Sequence, residues 1–125
     1  MPKTQFMPNT TVPTSVTIQG FATVNFMMRD FVILLDGGMG TELQKMGLAP
    51  GELPETWNVK NPDIVTEIHK RYFAAGSDIV ATNTFGANSL KFGDDLEKII
   101  SSAVKCAKKA AKEYEGVKPR FVGLD

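Results

Sequence analysis

From Phe31 onward, short apolar blocks alternate with longer stretches whose apolar residues recur at helical spacing. Phe31-Val32-Ile33-Leu34-Leu35 is compact and rich in aliphatic residues, and predicts a buried strand that the flexible Gly37-Gly38 backbone ends. A short helical stretch is expected near Thr41–Met46, followed by a loop from Gly47 to Asn61 held by Pro50 and Pro54. Asn61-Pro62-Asp63 opens a helix with an Asn N-cap, a proline at the first position and an acid in the first turn. Ile64, Val65, Ile68 and Tyr72 form its apolar stripe, and Gly76 is placed to end it in a left-handed turn. Asp78–Thr82 predicts a second strand. Asp94-Asp95 starts a longer helix with Leu96, Ile99, Ile100, Ala103, Ala107, Ala110, Ala111 and Tyr114 on one face. Its lysines (Lys108, Lys109, Lys112) come late, as the helix dipole favours, and Gly116 ends it. Arg120–Leu124 predicts a third strand.

The order is β-α-β-α-β, with strand starts roughly 40 residues apart, which implies parallel strands joined by right-handed crossovers. The fold class expected is α/β, the N-terminal β-α-β-α-β portion of a (β/α)8 TIM barrel. A complete barrel takes about 250 residues, so the barrel is expected to be incomplete in this chain of 125. Residues 28–125 carry that portion. Residues 1–27 differ, with Pro2, Pro8 and Pro13, many threonines and almost no charge, and are expected to be a poorly ordered extension or a short hairpin turning at Gly20.

Fourteen basic residues balance fourteen acidic ones, which argues against a nucleic-acid or anionic-membrane partner, since either calls for clustered Lys and Arg. No apolar run approaches the roughly 20 residues of a membrane helix, and Met1–Gln5 leads into no apolar block of the kind a secretory signal needs. The single cysteine cannot form an internal disulfide. A cytoplasmic location is expected on these grounds.

Candidate chemistry gathers at the strand ends. Asp36 follows the first strand, Asn83 and Thr84 the second, and Asp125 the third. In a parallel sheet these tips share one edge, where a barrel builds its site. Asp36 can accept from a ligand ammonium, and the amides of Gly37, Gly38 and Met39 can hold a carboxylate or phosphate. A plainer alternative has Asp36 capping a helix that starts near Met39, with Asn83 and Thr84 only satisfying loop amides. The glycines match neither G-x-G-x-x-G nor a P-loop, since no Gly-Lys-Ser/Thr follows.

Leu35-Asp36-Gly37-Gly38-Met39-Gly40-Thr41-Glu42-Leu43 resembles the first strand of the homocysteine S-methyltransferase domain. Further matches run in order through Pro54-Glu55-Thr56-Trp57-Asn58, Asn61-Pro62-Asp63-Ile64-Val65, His69-Lys70-Arg71-Tyr72-Phe73, Ala75-Gly76-Ser77-Asp78-Ile79 and Thr82-Asn83-Thr84-Phe85-Gly86-Ala87-Asn88. The resemblance covers about residues 30–125 and is strongest to the N-terminal homocysteine-binding barrel of the cobalamin-dependent methionine synthases. It implies a barrel in which zinc binds the homocysteine sulfur and makes thiolate available near neutrality. The methyl group would come from methylcobalamin, recharged by methyltetrahydrofolate, with cobalamin and folate held on other domains. By the same resemblance Asp36, Gly37 and Gly38 line the amino-acid end of homocysteine, and Asn83 and Thr84 line the same pocket.

The family's three zinc-binding cysteines lie on later strands with no counterpart here. Cys106, on the second long helix, reads as a structural thiol. His69 reads as a solvated or helix-packing residue, because a barrel's helices lie away from its site. Trp57 either covers the barrel mouth or packs, and the late lysines read as a solvated helix end. This chain is therefore expected to carry no catalytic or metal-binding residue of its own and to be inactive alone. Its expected partners are homocysteine and either the remainder of the barrel or a second copy. Two other classes stay open: a non-catalytic α/β ligand-binding module, and a structural half-barrel that needs a partner chain.

Overall fold

A computed structural model describes residues 32–125. The expected extension 1–27 and the start of the first strand at Phe31 lie outside the described residues. The elements are α1 (Gly40–Lys45), a 3-10 turn (Pro54–Thr56), α2 (Trp57–Lys60), α3 (Pro62–Ala74), β1 (Ile79–Ala81), α4 (Ser89–Phe92), a 3-10 turn (Gly93–Asp95), α5 (Leu96–Tyr114) and β2 (Phe121–Gly123). β1 and β2 pair in parallel, Ile79 opposite Phe121 and Ala81 opposite Gly123. The chain is α/β, as the alternating pattern predicts.

The first predicted strand contributes less ladder than expected: one parallel bridge, Leu35 to Ile79, is its regular pairing among the described residues. Carboxylates supply part of what a longer ladder would. Asp78 Oδ2 accepts the Leu34 N–H at 2.9 Å and Asp36 Oδ2 accepts the Ala81 N–H at 3.1 Å. Backbone bonds from Asp78 N–H to Leu34 O (2.7 Å) and Asp36 N–H to Ile79 O (3.1 Å) complete the register. β1 and β2 are likewise shorter than their expected spans. Ahead of β2 the Arg120 side chain turns back to the helix ends.

The loop expected over Gly47–Asn61 is partly helical. Pro54 starts a 3-10 turn with its fixed φ, and α2 follows directly. A single turn of four residues has no periodicity to read. Trp57 packs: it is buried with Leu43, Leu48, Val65, Ile68 and Cys106, while its Nε1 donates to Glu52 Oε2 at 2.8 Å. α4, which the sequence reading did not pick out, is capped by Asn88, whose side chain accepts the Lys91 N–H.

α3 begins at Pro62 as expected, but Asn61 makes no side-chain cap there. Its end follows the expectation closely. Gly76 has φ +115, its N–H reaches Phe73 O, and the Ser77 N–H reaches Tyr72 O, the paired bonds of a left-handed helix terminus. α5 starts at Leu96, after Asp94-Asp95, and ends at Tyr114 with Glu115 at the C-cap, ahead of Gly116. Phe73 of α3 and Ala107 and Ala110 of α5 pack on Val80 and Val122, covering one face of the sheet with helices. Small alanines let α5 approach closely. Arg120, buried, donates to Phe73 O at 3.1 Å, to Ser77 O and to Tyr114 O at 3.4 Å, and stacks over the Phe73 and Tyr114 rings. One guanidinium thus satisfies carbonyls at the ends of both long helices.

His69 on α3 is fully buried, which makes it a packing histidine and not a solvated one. Among the described residues neither ring nitrogen has a hydrogen-bond partner, and burial pushes its pKa from 6.5 down to about 4. The native state therefore holds the neutral ring. Its stability contribution is full above pH 6.5 and is lost as pH falls toward about 4, because the unfolded chain takes up the proton first. In urea denaturation across that window, His69→Leu should flatten the decline by on the order of 3 kcal/mol. An unchanged slope counts against the buried neutral ring.

Candidate functional site

Parallel pairing places the ends of three extended segments on one edge of the sheet. There a cavity of about 290 Å³ opens, walled by Asp36, Gly37 and Gly38 on one side and by Ala81, Thr82 and Asn83 on another. Pro54 and Glu55, Phe85 and Asp125 complete its rim. Of the residues singled out from the sequence, Asp36, Gly37, Gly38 and Asn83 meet around this one space. Thr84 is buried beside it and does not line it. Its hydroxyl lies 2.8 Å from Thr82 Oγ1 and donates to Asp125 O at 3.3 Å, so it ties the tips of β1 and β2 together.

Asp36 does not cap a helix. The N-cap of α1 is Met39, with no side-chain bond. Instead Asp36 ends a ladder, accepting the Ala81 N–H through one oxygen. Burial raises its carboxyl above the ordinary 3.8, with the Ala81 hydrogen bond pulling the other way and Asp125 adding to the rise. The turn after it is held from α3: Tyr72 donates its hydroxyl to Gly38 O at 2.7 Å. A Cβ on Gly37 would sit 3.0 Å from that hydroxyl, so a larger residue there would make the tyrosine give way by a few tenths of an ångström. Burial, then the charges of Glu42 and Asp36, raise the Tyr72 pKa and keep it a donor.

Asn83 is held from behind by Asn58. Asn58 Nδ2 donates to Asn83 O at 2.8 Å, and Asn83 Nδ2 donates to Asn58 Oδ1 at 3.0 Å and to Pro54 O at 2.9 Å. Sequence reasoning missed Asn58, Glu55 and Tyr72 as parts of this region. All three lie inside the matched motifs, but their partners are 25 to 34 residues away in the chain, beyond the reach of any local pattern.

Among the described residues no group of three or more His, Cys, Asp or Glu side chains can hold a metal ion. Cys106 is buried on α5, donating toward Pro62 O at 3.5 Å, and burial raises its thiol pKa. These residues do not fit a zinc site.

The family model described as Homocysteine S-methyltransferase matches residues 33–125. The chain belongs to the homocysteine S-methyltransferase family. Methionine synthase of Mycobacterium leprae is 44% identical over 69 residues, which is 50% of this chain and 6% of that protein. The Mycobacterium tuberculosis methionine synthase is 42% identical over 69 residues, with the same coverage. The metallated form of the Escherichia coli homocysteine methyltransferase MmuM superposes with a TM-score of 0.71 at 25% identity, covering 81% of this chain and 40% of MmuM. This member thus spans less than half of the relatives it matches. Every element around its cavity lies inside the matched region.

Asn58→Ala would strand the buried Asn83 carbonyl and leave the Asn83 amide with Pro54 O alone. It should lower unfolding stability by about 2 kcal/mol, read as a reduced denaturation midpoint. A midpoint equal to that of the unsubstituted chain would mean the Asn58–Asn83 pair is dispensable.

Proposed function

We propose that this chain forms the amino-acid-recognition side of a homocysteine S-methyltransferase pocket. Residues 28–125 would be the N-terminal β-α-β-α-β portion of a (β/α)8 barrel, with residues 1–27 an extension to it. The observation that carries the reading is the single cavity in which Asp36 and the Gly37-Gly38 turn meet Asn83. In this reading the Asp36 carboxylate accepts the ligand ammonium through the oxygen not engaged by Ala81, and the Gly37 and Gly38 amides take the ligand carboxylate. Asn83 closes the pocket from β1, and Thr84 holds the β2 tip in place. The cavity lining holds the Asp36 and Asp125 carboxylates and, among the described residues, no Lys, Arg or His, which favours a ligand that presents a cation.

The chain supplies binding and orientation. Zinc, and a methyl group from methylcobalamin or methyltetrahydrofolate, would belong to parts of the enzyme outside these residues, in a cytoplasmic setting. One observation favours a second reading, a half-barrel that works with a partner chain or a second copy. Val32 and Leu35 beside β1 and Leu124 after β2 are exposed, so the described sheet offers apolar edges for another chain to cover.

Calorimetry with L-homocysteine should show binding at one site, and Asp36→Ala should weaken it at least about tenfold. Protonation of Asp36 removes the acceptor, so affinity should fall as pH drops through a midpoint above 3.8. Thermal stabilisation by phosphate compounds, with none by homocysteine, would favour a binding module of another kind.

Methyl transfer is a separate test. The purified chain, supplied with zinc, homocysteine and methylcobalamin, should form no methionine above the uncatalysed rate. Zinc-dependent product would sink the assignment of the metal to other residues.

A further inference from the structure

Asn83 and Gly86 bracket Phe85, and all three belong to the turn that leaves β1. Phe85 is exposed and lines the cavity. What sets the position of this turn is the segment 54–58. Pro54 O and Asn58 hold Asn83. Glu55 holds the other end: its Oε2 accepts the Gly86 N–H at 2.8 Å. A Cβ on Gly86 would stand only 3.0 Å from that oxygen, so the contact is close on both sides.

Glu55 is itself unusual. It is 4% exposed, in a 3-10 turn where the chain needs no carboxylate for its own hydrogen bonds. Among the described residues it forms no ion pair, although Lys91 Nζ stands against the same Gly86 position, 3.3 Å from where a Cβ would be. A buried carboxylate costs stability unless hydrogen bonds or a nearby cation hold it. The bond it makes, at 2.8 Å to the Gly86 N–H, supplies such a hold.

We propose that Glu55 is a positioning residue of the amino-acid pocket, fixing the Asn83–Gly86 turn through the Gly86 N–H so that Asn83 and Phe85 stand opposite Asp36. This rests on the homocysteine-pocket reading and names the residue that shapes its second wall. Glu55 acts through the turn, so a neutral acceptor of the same shape can replace it.

The test uses the full chain, with L-homocysteine affinity by calorimetry and Gly86 amide hydrogen exchange by NMR. Glu55→Ala should weaken affinity about tenfold and speed Gly86 exchange. Glu55→Gln keeps an acceptor oxygen and should stay within about threefold of the unsubstituted chain in affinity. Unchanged affinity in Glu55→Ala overturns the proposal. So does a Glu55→Gln chain as weak as Glu55→Ala with its Gly86 amide still protected, because the charge would then meet the ligand directly. Failure of the unsubstituted chain to bind homocysteine overturns the pocket reading instead. The exchange arm still decides on Glu55: no acceleration in Glu55→Ala overturns the clamp, and acceleration upholds it.

Discussion

Parallel pairing to the central strand Ile79–Ala81 is the constraint on which the rest of this structure depends. β1 is bonded on both edges, to the Leu34–Asp36 backbone on one and to Phe121–Gly123 on the other. Parallel pairing gives the strands one direction, so whatever follows each of them must emerge on the same side. Asp36, Asn83 and Asp125 reach one edge for that reason. Nothing in their local sequences draws them together.

The first edge is finished by side chains. Asp78 holds the Leu34 amide and also pairs with Lys118 at 2.8 Å, so a buried carboxylate is balanced where the first segment joins the sheet. Asp36 takes the Ala81 amide just where Gly37 turns away. The same carboxylate therefore ends the ladder and borders the cavity. A structural role and the proposed recognition role are not alternatives at this position, since the Ala81 bond engages one oxygen. Burial raises its pKa, yet the Ala81 bond favours the charged form, and the site sits between these opposing effects.

Around the cavity a second set of contacts works from outside the sheet. Tyr72 reaches from α3 to the Gly38 carbonyl, while segment 54–58 holds Asn83 and Gly86. These links run between elements whose cores are separately packed, α3 and α5 on Val80 and Val122, α1 and α2 on Val65 and Ile68. Arg120 joins the far ends of α3 and α5, opposite the cavity edge. Rigid placement of the pocket follows from this division: apolar packing fixes the elements, and single polar contacts fix the turns between them. Sequence similarity to the homocysteine S-methyltransferase family spans all of it.

By itself the sequence determined the α/β order, both long helices, the left-handed stop at Gly76 and the candidate tips, because each rests on local periodicity, on proline and glycine geometry, or on motifs read in order. Where it misread, the competing force was tertiary. α2 is one turn, too short for periodicity, and exists because Trp57 is drawn into the core. For His69 the sequence allows either water or helix packing, and tertiary packing decides for burial, with no hydrogen-bond partner among the described residues. Asn61 had the right residue type for a cap, but the backbone reached φ -137 and ψ 59 with no side-chain bond. Only the tertiary structure decided that Asp36 ends a ladder instead of capping α1, that Thr84 turns inward to Asp125, and that Asn58, Tyr72 and Glu55 hold the cavity walls. Those contacts span 25 to 45 residues, and distances of that kind are set by how strands and helices stack, which no local stretch of sequence encodes.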